Sequence, residues 1–370
     1  MFKPAAIMVG AAILLAGCAS TPTIPEETIS SPPVMIGENA ALNWTDTNLV
    51  KKIPVVGPLK PAAPTVRTNP PPTAPPAAPV MTWTSLDRWA AENKIGPLHL
   101  IARTPVAAYA IGTANGTMVL DIGSREAAWN GTEIHLGFAP EFIDDQIFVH
   151  RADLRDAIVP LLFGPPLTFG NRVIVIDPGH GGSNVGTRSV LDGRFEKEFT
   201  LDWAKRLAPL LETNGWKVFL TRTSDVTVSN LDRVVFAEAH HADLFISLHF
   251  NSGAPDKKAA GLETYCLTPA GMPSTITRGW PDIWSQVFPN NAFDAQNLQL
   301  AVRVHSALLR AAGLEDRGVC HSRFDTVLRG QNRPAILIEG GFMSNPHEAR
   351  LIESPEFRQK LAQAVANALR

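Results

Sequence analysis

The second half of the chain predicts an α/β domain with a mostly parallel sheet and helices on both faces, preceded by a small α+β domain. Three observations carry this reading. Over 171–370, short apolar runs alternate with longer amphipathic stretches, as when crossover helices join parallel strands. Over 83–166, short apolar runs are separated by hairpin turns, Ala114-Asn115-Gly116 and Asn130-Gly131. Before residue 83, prolines crowd one stretch at Pro58, Pro61, Pro64, Pro70, Pro71, Pro72, Pro75, Pro76 and Pro79.

Residues 1–17 read as a signal peptide. Lys3 supplies positive charge, and Ala5 to Leu15 is an apolar run too short to span a bilayer. Leu15-Ala16-Gly17-Cys18 resembles the bacterial lipobox, which implies that Cys18 becomes the lipidated first residue of the mature protein. Ala19, where an Asp would imply inner-membrane retention, points to the outer membrane. Residues 18–82 then form a lipidated, Pro-rich linker of extended polyproline character that gives reach and buries no core. After lipidation only Cys266 and Cys320 remain, equally compatible with a disulfide and with two buried thiols.

From Trp83 the chain reads as folded. A short helix starts at Thr84-Ser85-Leu86, and strands follow at Leu98–Ala102, Ala107–Ile111, Met118–Ile122 and Thr132–Leu136. A helix around Arg151–Leu162 closes the unit before Gly164-Pro165-Pro166. The unit resembles the stalk-like N-terminal domain shared by copper amine oxidases and some cell-wall enzymes. It carries no catalytic cluster, so a spacer or wall-binding role is expected.

In the second domain, strands are expected at Val173–Ile176, Trp216–Leu220, Asp243–Leu248, Leu262–Cys266 and Ala335–Ile338. Helices are expected at Glu196–Glu212, with a kink or early stop near Ala208 ahead of Pro209, at Asn230–Ala239 and at Leu298–Ala312. Asn345-Pro346 and Ser354-Pro355 open the last two.

Four polar residues are placed just beyond apolar strands or at a helix start, where ligands gather in α/β folds. They are His180 in Asp177-Pro178-Gly179-His180-Gly181-Gly182, Glu196 beside Lys197, His249 in Ser247-Leu248-His249-Phe250-Asn251, and Glu339 in Ile338-Glu339-Gly340-Gly341-Phe342. Two His and one carboxylate are a typical catalytic zinc set with a position left for water. A further carboxylate is then needed to take the proton from that water, and Glu339 fits. Glu198 and Asp192 are near rivals of Glu196.

These stretches, with Leu220-Thr221-Arg222, Leu231-Asp232-Arg233 and Val327-Leu328-Arg329-Gly330, resemble the zinc N-acetylmuramoyl-L-alanine amidases, the amidase-3 family, from residue 171 to the end. The resemblance implies one Zn2+ held by His180, Glu196 and His249, with Glu339 as catalytic carboxylate. It implies a peptidoglycan hydrolase that cuts the amide between N-acetylmuramic acid and L-alanine. Together with the lipobox it implies a periplasmic enzyme anchored to the outer membrane through its lipid, and it allows an activator protein as partner. Glu238-Ala239 departs from the family's Ala-Asn, a difference expected to touch packing.

Other classes fit less well. A net charge of −2 speaks against nucleic acid as a partner. A non-catalytic wall-binding lipoprotein would have lost one of the four residues, and a wall peptidase would lack the DPGHGG and IEGGF pair. A pure tether suits only 19–166. Asp177 either orients His180 or turns the strand end. His240, His241, His305, His321 and His347 are expected at the surface or at helix ends. Residues 267–296 match no compact pattern and read as a plug over the site, as a groove wall with Trp280 and Trp284 on glycan, or as decoration.

Overall fold

The computed structural model describes residues 82–104, 106–279 and 281–370. The signal peptide at 1–17, Cys18, the linker up to residue 81 and Trp280 lie outside the described residues. Among the described residues, no helix is long and apolar enough to cross a membrane.

Alternation along the strands builds the centre of the molecule. In strand Val173–Pro178, Val173 and Val175 join one buried cluster with Ala237, Phe245 and Leu328. Ile174 and Ile176 point the other way, to Trp203, Leu207, Leu361 and Val365. Successive side chains leave opposite faces of a sheet, so both faces are covered. Helices Glu196–Thr213, Asp294–Ala312 and Pro355–Ala368 supply the second cluster, and helix Asn230–Ala239 with the turn Thr326–Arg329 supplies the first.

Strands Lys217–Leu220, Val173–Pro178, Leu244–Asn251 and Ala335–Phe342 lie side by side and parallel. The expectation of a mostly parallel sheet needs correcting beyond them. Leu262–Leu267 runs antiparallel to Ala335–Phe342 and parallel to Asp316–Ser322. The connection over 252–261 carries no helix, and a parallel crossover needs a long connection, so the chain reverses. Past Asp316–Ser322 the same sheet continues through Thr132–His135, Glu126–Trp129, Gly116–Asp121, Ala108–Thr113 and His99–Ala102, giving eleven mixed strands. Their tight turns make this last run an antiparallel meander. Trp83–Ser85, Gln146–His150 and Glu141–Ile143 form a separate three-stranded sheet.

Helix Glu196–Thr213 continues past Pro209 rather than stopping. Pro209 and Lys205, whose carbonyl it displaces, both face solvent, while Trp203, Leu207 and Leu211 are buried on the opposite stripe. His249 and Glu339 also differ from expectation. They lie inside the ends of their strands, directly opposite each other in register.

Candidate metal centre

Strand Val173–Pro178 delivers the chain into a loop of unusual backbone. His180 has φ +63°, and Gly181 and Gly182 follow at +127° and +58°. Such φ values are open to glycine and strained for most other residues. Gly179 is needed for a different reason: a Cβ there would collide with the His249 ring.

Two buried arginines hold this loop by its carbonyls. Arg222 donates from Nε to Pro178 O at 2.9 Å and from Nη2 to Gly179 O at 2.8 Å. Arg233 donates from Nη2 to His180 O at 2.8 Å and from Nη1 to Pro178 O at 3.1 Å. The buried Asp177 carboxylate pairs with Arg233 and accepts from Ser247 Oγ at 2.7 Å and Thr221 Oγ1 at 2.5 Å. Asp177 therefore acts on His180 through Arg233 and the backbone. The ring itself is oriented by Asn184, whose Oδ1 lies 2.8 Å from His180 Nδ1. Sequence reasoning missed Asn184, although it lies only two residues beyond DPGHGG.

Glu196 opens its helix and is 3% exposed. Its Oε2 lies 2.9 Å from His180 Nε2, and its Oε1 lies 2.9 Å from His249 Nδ1. Backbone N–H groups complete the setting, Thr187 donating to Oε2 and Phe250 to Oε1, each at 3.0 Å. The rival carboxylates are engaged elsewhere: Glu198 accepts from Phe195 N, and Asp192 pairs with Arg194. Burial opposes ionisation of Glu196, but the two imidazoles outweigh it and hold its carboxyl below the ordinary range. Burial likewise lowers His180, and its contact with Glu196 reverses that to a net rise.

His180, Glu196 and His249 bring one ligand atom each within 4.8 Å of one another, the one such group of three among the described residues. Ligand atoms about 2.0–2.2 Å from a shared zinc lie within that spread. Glu339 stands on the next strand, 6% exposed. Its Oε2 has no hydrogen-bond partner, and its Oε1 lies 3.7 Å from Arg278 Nη2. Burial, followed by the nearby Glu196 charge, pushes its carboxyl well above the ordinary range. A dication held beside it would oppose that rise, so the orphaned oxygen and the donor set both fit a metal. On its other side Glu263 is fully engaged, by Asn251 and Tyr265 at 2.7 Å and by Arg317 at 2.6 Å. The three clustered residues, Glu339 and Arg278 line one cavity of about 270 Å³.

The remaining candidates fall elsewhere. His240 ends helix Asn230–Ala239, His241 is exposed and His347 sits in the first turn of a helix. His305 and His321 are buried, against expectation. The site of His305 tolerates a polar ring because both nitrogens are engaged, with Thr264 Oγ1 and Asp316 Oδ1 at 2.9 Å. Cys266 and Cys320 are free buried thiols, both raised by burial. Trp284 packs edge-on against Phe138 at 5.8 Å and does not line the cavity. Glu238, at the departure from the family pattern, pairs with Arg333.

Residues 174–370 match the family model described as N-acetylmuramoyl-L-alanine amidase. The chain is 31% identical over 221 residues to N-acetylmuramoyl-L-alanine amidase AmiA of Escherichia coli (strain K12), covering 54% of this chain and 75% of AmiA. It is 35% identical over 198 residues to the amidase CwlM of Bacillus licheniformis, covering 53% of this chain and 66% of CwlM. Among solved structures it is similar to an N-acetylmuramoyl-L-alanine amidase from Clostridium difficile 630, with 32% identity and a TM-score of 0.46, over 54% of this chain and 96% of that one.

Proposed function

The chain belongs to the N-acetylmuramoyl-L-alanine amidase family, and from that premise we propose that it hydrolyses the peptidoglycan amide between N-acetylmuramic acid and L-alanine with zinc held by His180, Glu196 and His249. The observation that carries this reading is the convergence of those three side chains on a cavity that Glu339, with its unpartnered Oε2, also lines. Zinc bound there supplies Lewis acidity to the scissile carbonyl and lowers the pKa of the attacking water.

The chain's own residues do the rest. The backbone of the His180 loop and the contact of Asn184 with Nδ1 hold the His180 imidazole in a fixed orientation and leave its Nε2 for the metal. Glu339 accepts a proton from water at Oε2 as the carbonyl carbon is attacked. The C–N bond then breaks, and Glu339 returns the proton to the leaving nitrogen of L-alanine. The muramic acid keeps a carboxyl group, whose proton passes on to the freed amine, so the products are a carboxylate and an ammonium and the two protons of the water are both accounted for.

We place the enzyme in the bacterial envelope, tied to the outer membrane through an acylated Cys18, with residues 18–82 giving the catalytic part its reach toward the wall. An activator protein remains part of the proposal as a partner. Digestion of purified sacculi by the full chain, read by mass spectrometry of the products, tests the reaction. Intact stem peptides freed from glycan are expected; peptides shortened at an internal bond would show a peptidase instead.

A further inference from the structure

The loop over residues 268–288 has no helix or strand among its described residues, yet it is fixed from two sides. Buried Arg323 donates to Pro269 O and Met272 O at 2.7 Å and pairs with Asp282. Asp282 in turn accepts from Ser274 N at 2.7 Å. From the small N-terminal unit, Arg125 donates to Pro273 O at 3.2 Å and Ser274 O at 3.3 Å. Thr275 N donates to His321 O at 2.8 Å. These anchors lie before and after Arg278 in sequence and leave that residue facing the cavity.

Arg278 is held loosely there. Its Nη2 lies 3.7 Å from Glu339 Oε1 and 3.5 Å from Asn251 Oδ1, while its Cζ sits 4.8 Å over the Phe324 ring. Neither polar contact closes a two-pronged fork, and 44% of the side chain is exposed. Among the described residues it is the only Lys or Arg lining a cavity whose acidic members are Glu196, Asp325 and Glu339. Arg278 is thus the one cationic side chain described around this cavity that stands outside the metal cluster, and it can pair with a substrate anion without competing for the metal. The contact of Cζ with the Phe324 ring supports the guanidinium, and the exposed part of the side chain leaves donors to receive a carboxylate.

We propose that Arg278 binds a carboxylate on the peptide side of the scissile bond, so that loop 268–288 is the stem-peptide wall of the groove. This rests on the amidase reading. In that substrate the lactyl carboxyl of the sugar is consumed in the amide, so free carboxylates near the bond belong to the peptide. The N-terminal unit acquires a role as well, because Arg125 helps to hold the wall that presents Arg278.

The test uses the full chain and two synthetic N-acetylmuramoyl dipeptides of one sequence, with the second residue's carboxyl groups either free or as carboxamides. The wild type is expected to favour the carboxylate substrate by about 10-fold or more in kcat/KM, mainly through KM, since one charge-assisted contact is at stake. In Arg278→Gln that ratio should collapse toward unity, and Arg278→Lys should retain part of it. The ratio is internal to each variant, so partial misfolding does not distort it. An equal ratio in wild type and Arg278→Gln overturns the inference while leaving the amidase reading intact. Calorimetric titration with the two free dipeptides separates the opposite case. If the wild type cleaves neither substrate, the amidase reading falls. A carboxylate preference that Arg278→Gln abolishes would still uphold the binding residue, and equal binding to both proteins would overturn it.

Discussion

Replacing Asp177 by Asn probes how the site is supported. The carboxylate is 1% exposed and pairs with Arg233, whose side chain is 4% exposed. Asn keeps the shape but removes the charge, leaving a buried guanidinium with carbonyl partners and no counter-charge. Breaking a buried pair from one side costs about 3–5 kcal/mol, a large part of the roughly 5–15 kcal/mol that holds a domain folded. Arg233 also binds the His180 carbonyl, so zinc affinity should fall by about 10-fold or more, as when a ligand's supporting contacts are lost. Urea unfolding and competition with a zinc chelator measure the two effects. The double variant Asp177→Asn/Arg233→Met should lose less stability than the sum of the singles, because the stranded charge is gone. Singles that cost under about 1 kcal/mol each and simply add would refute this account of the loop.

His321 gives a pH effect. Burial first, then the charges of His135 and Arg125, lower its pKa from 6.5 to about 4. The unfolded chain therefore takes up a proton that the folded one refuses, and stability falls as pH drops from about 6.5 to about 4, by roughly 3 kcal/mol. Unfolding midpoints at pH 7 and pH 4.5 should differ less in His321→Gln than in the wild type; equal differences would show that His321 titrates normally. His249→Ala should lose most of the bound zinc by elemental analysis, since only two ligands remain; stoichiometric zinc would place the metal elsewhere. Cys18→Ser should move the protein from the membrane fraction to the soluble one; retention in membranes would mean that another segment anchors it.

Much of the site was legible because its residues sit in short motifs whose glycines and strand ends are fixed by local chemistry. His180 follows DPG, and His249 and Glu339 each end an apolar run. Arg222 and Arg233 were visible as motif members, but their work, gripping carbonyls of the His180 loop, is a tertiary fact. Arg278 was invisible for the same reason, as its segment has no periodicity and is placed by Arg125 and Arg323 from distant parts of the chain. Strand Asp316–Ser322 escaped notice because Arg317, Gly318 and His321 break any apolar alternation. Its buried polar side chains are tolerated through partners that only the fold supplies, such as Ser322 with Asp325. The mixed sheet was misread because strand direction depends on the connection after Asn251, whereas periodicity reports only the strands.

The proposed division of labour has three residues hold the metal while Glu339 moves the proton. It is tested most directly by measuring muropeptide hydrolysis and zinc content together in Glu339→Gln, which keeps the side chain's size and removes its basicity. The expected result is a full zinc complement with turnover reduced by about 10²-fold or more. Turnover near that of the wild type at the same zinc content would contradict it, and would leave Glu339 as a structural residue beside someone else's base.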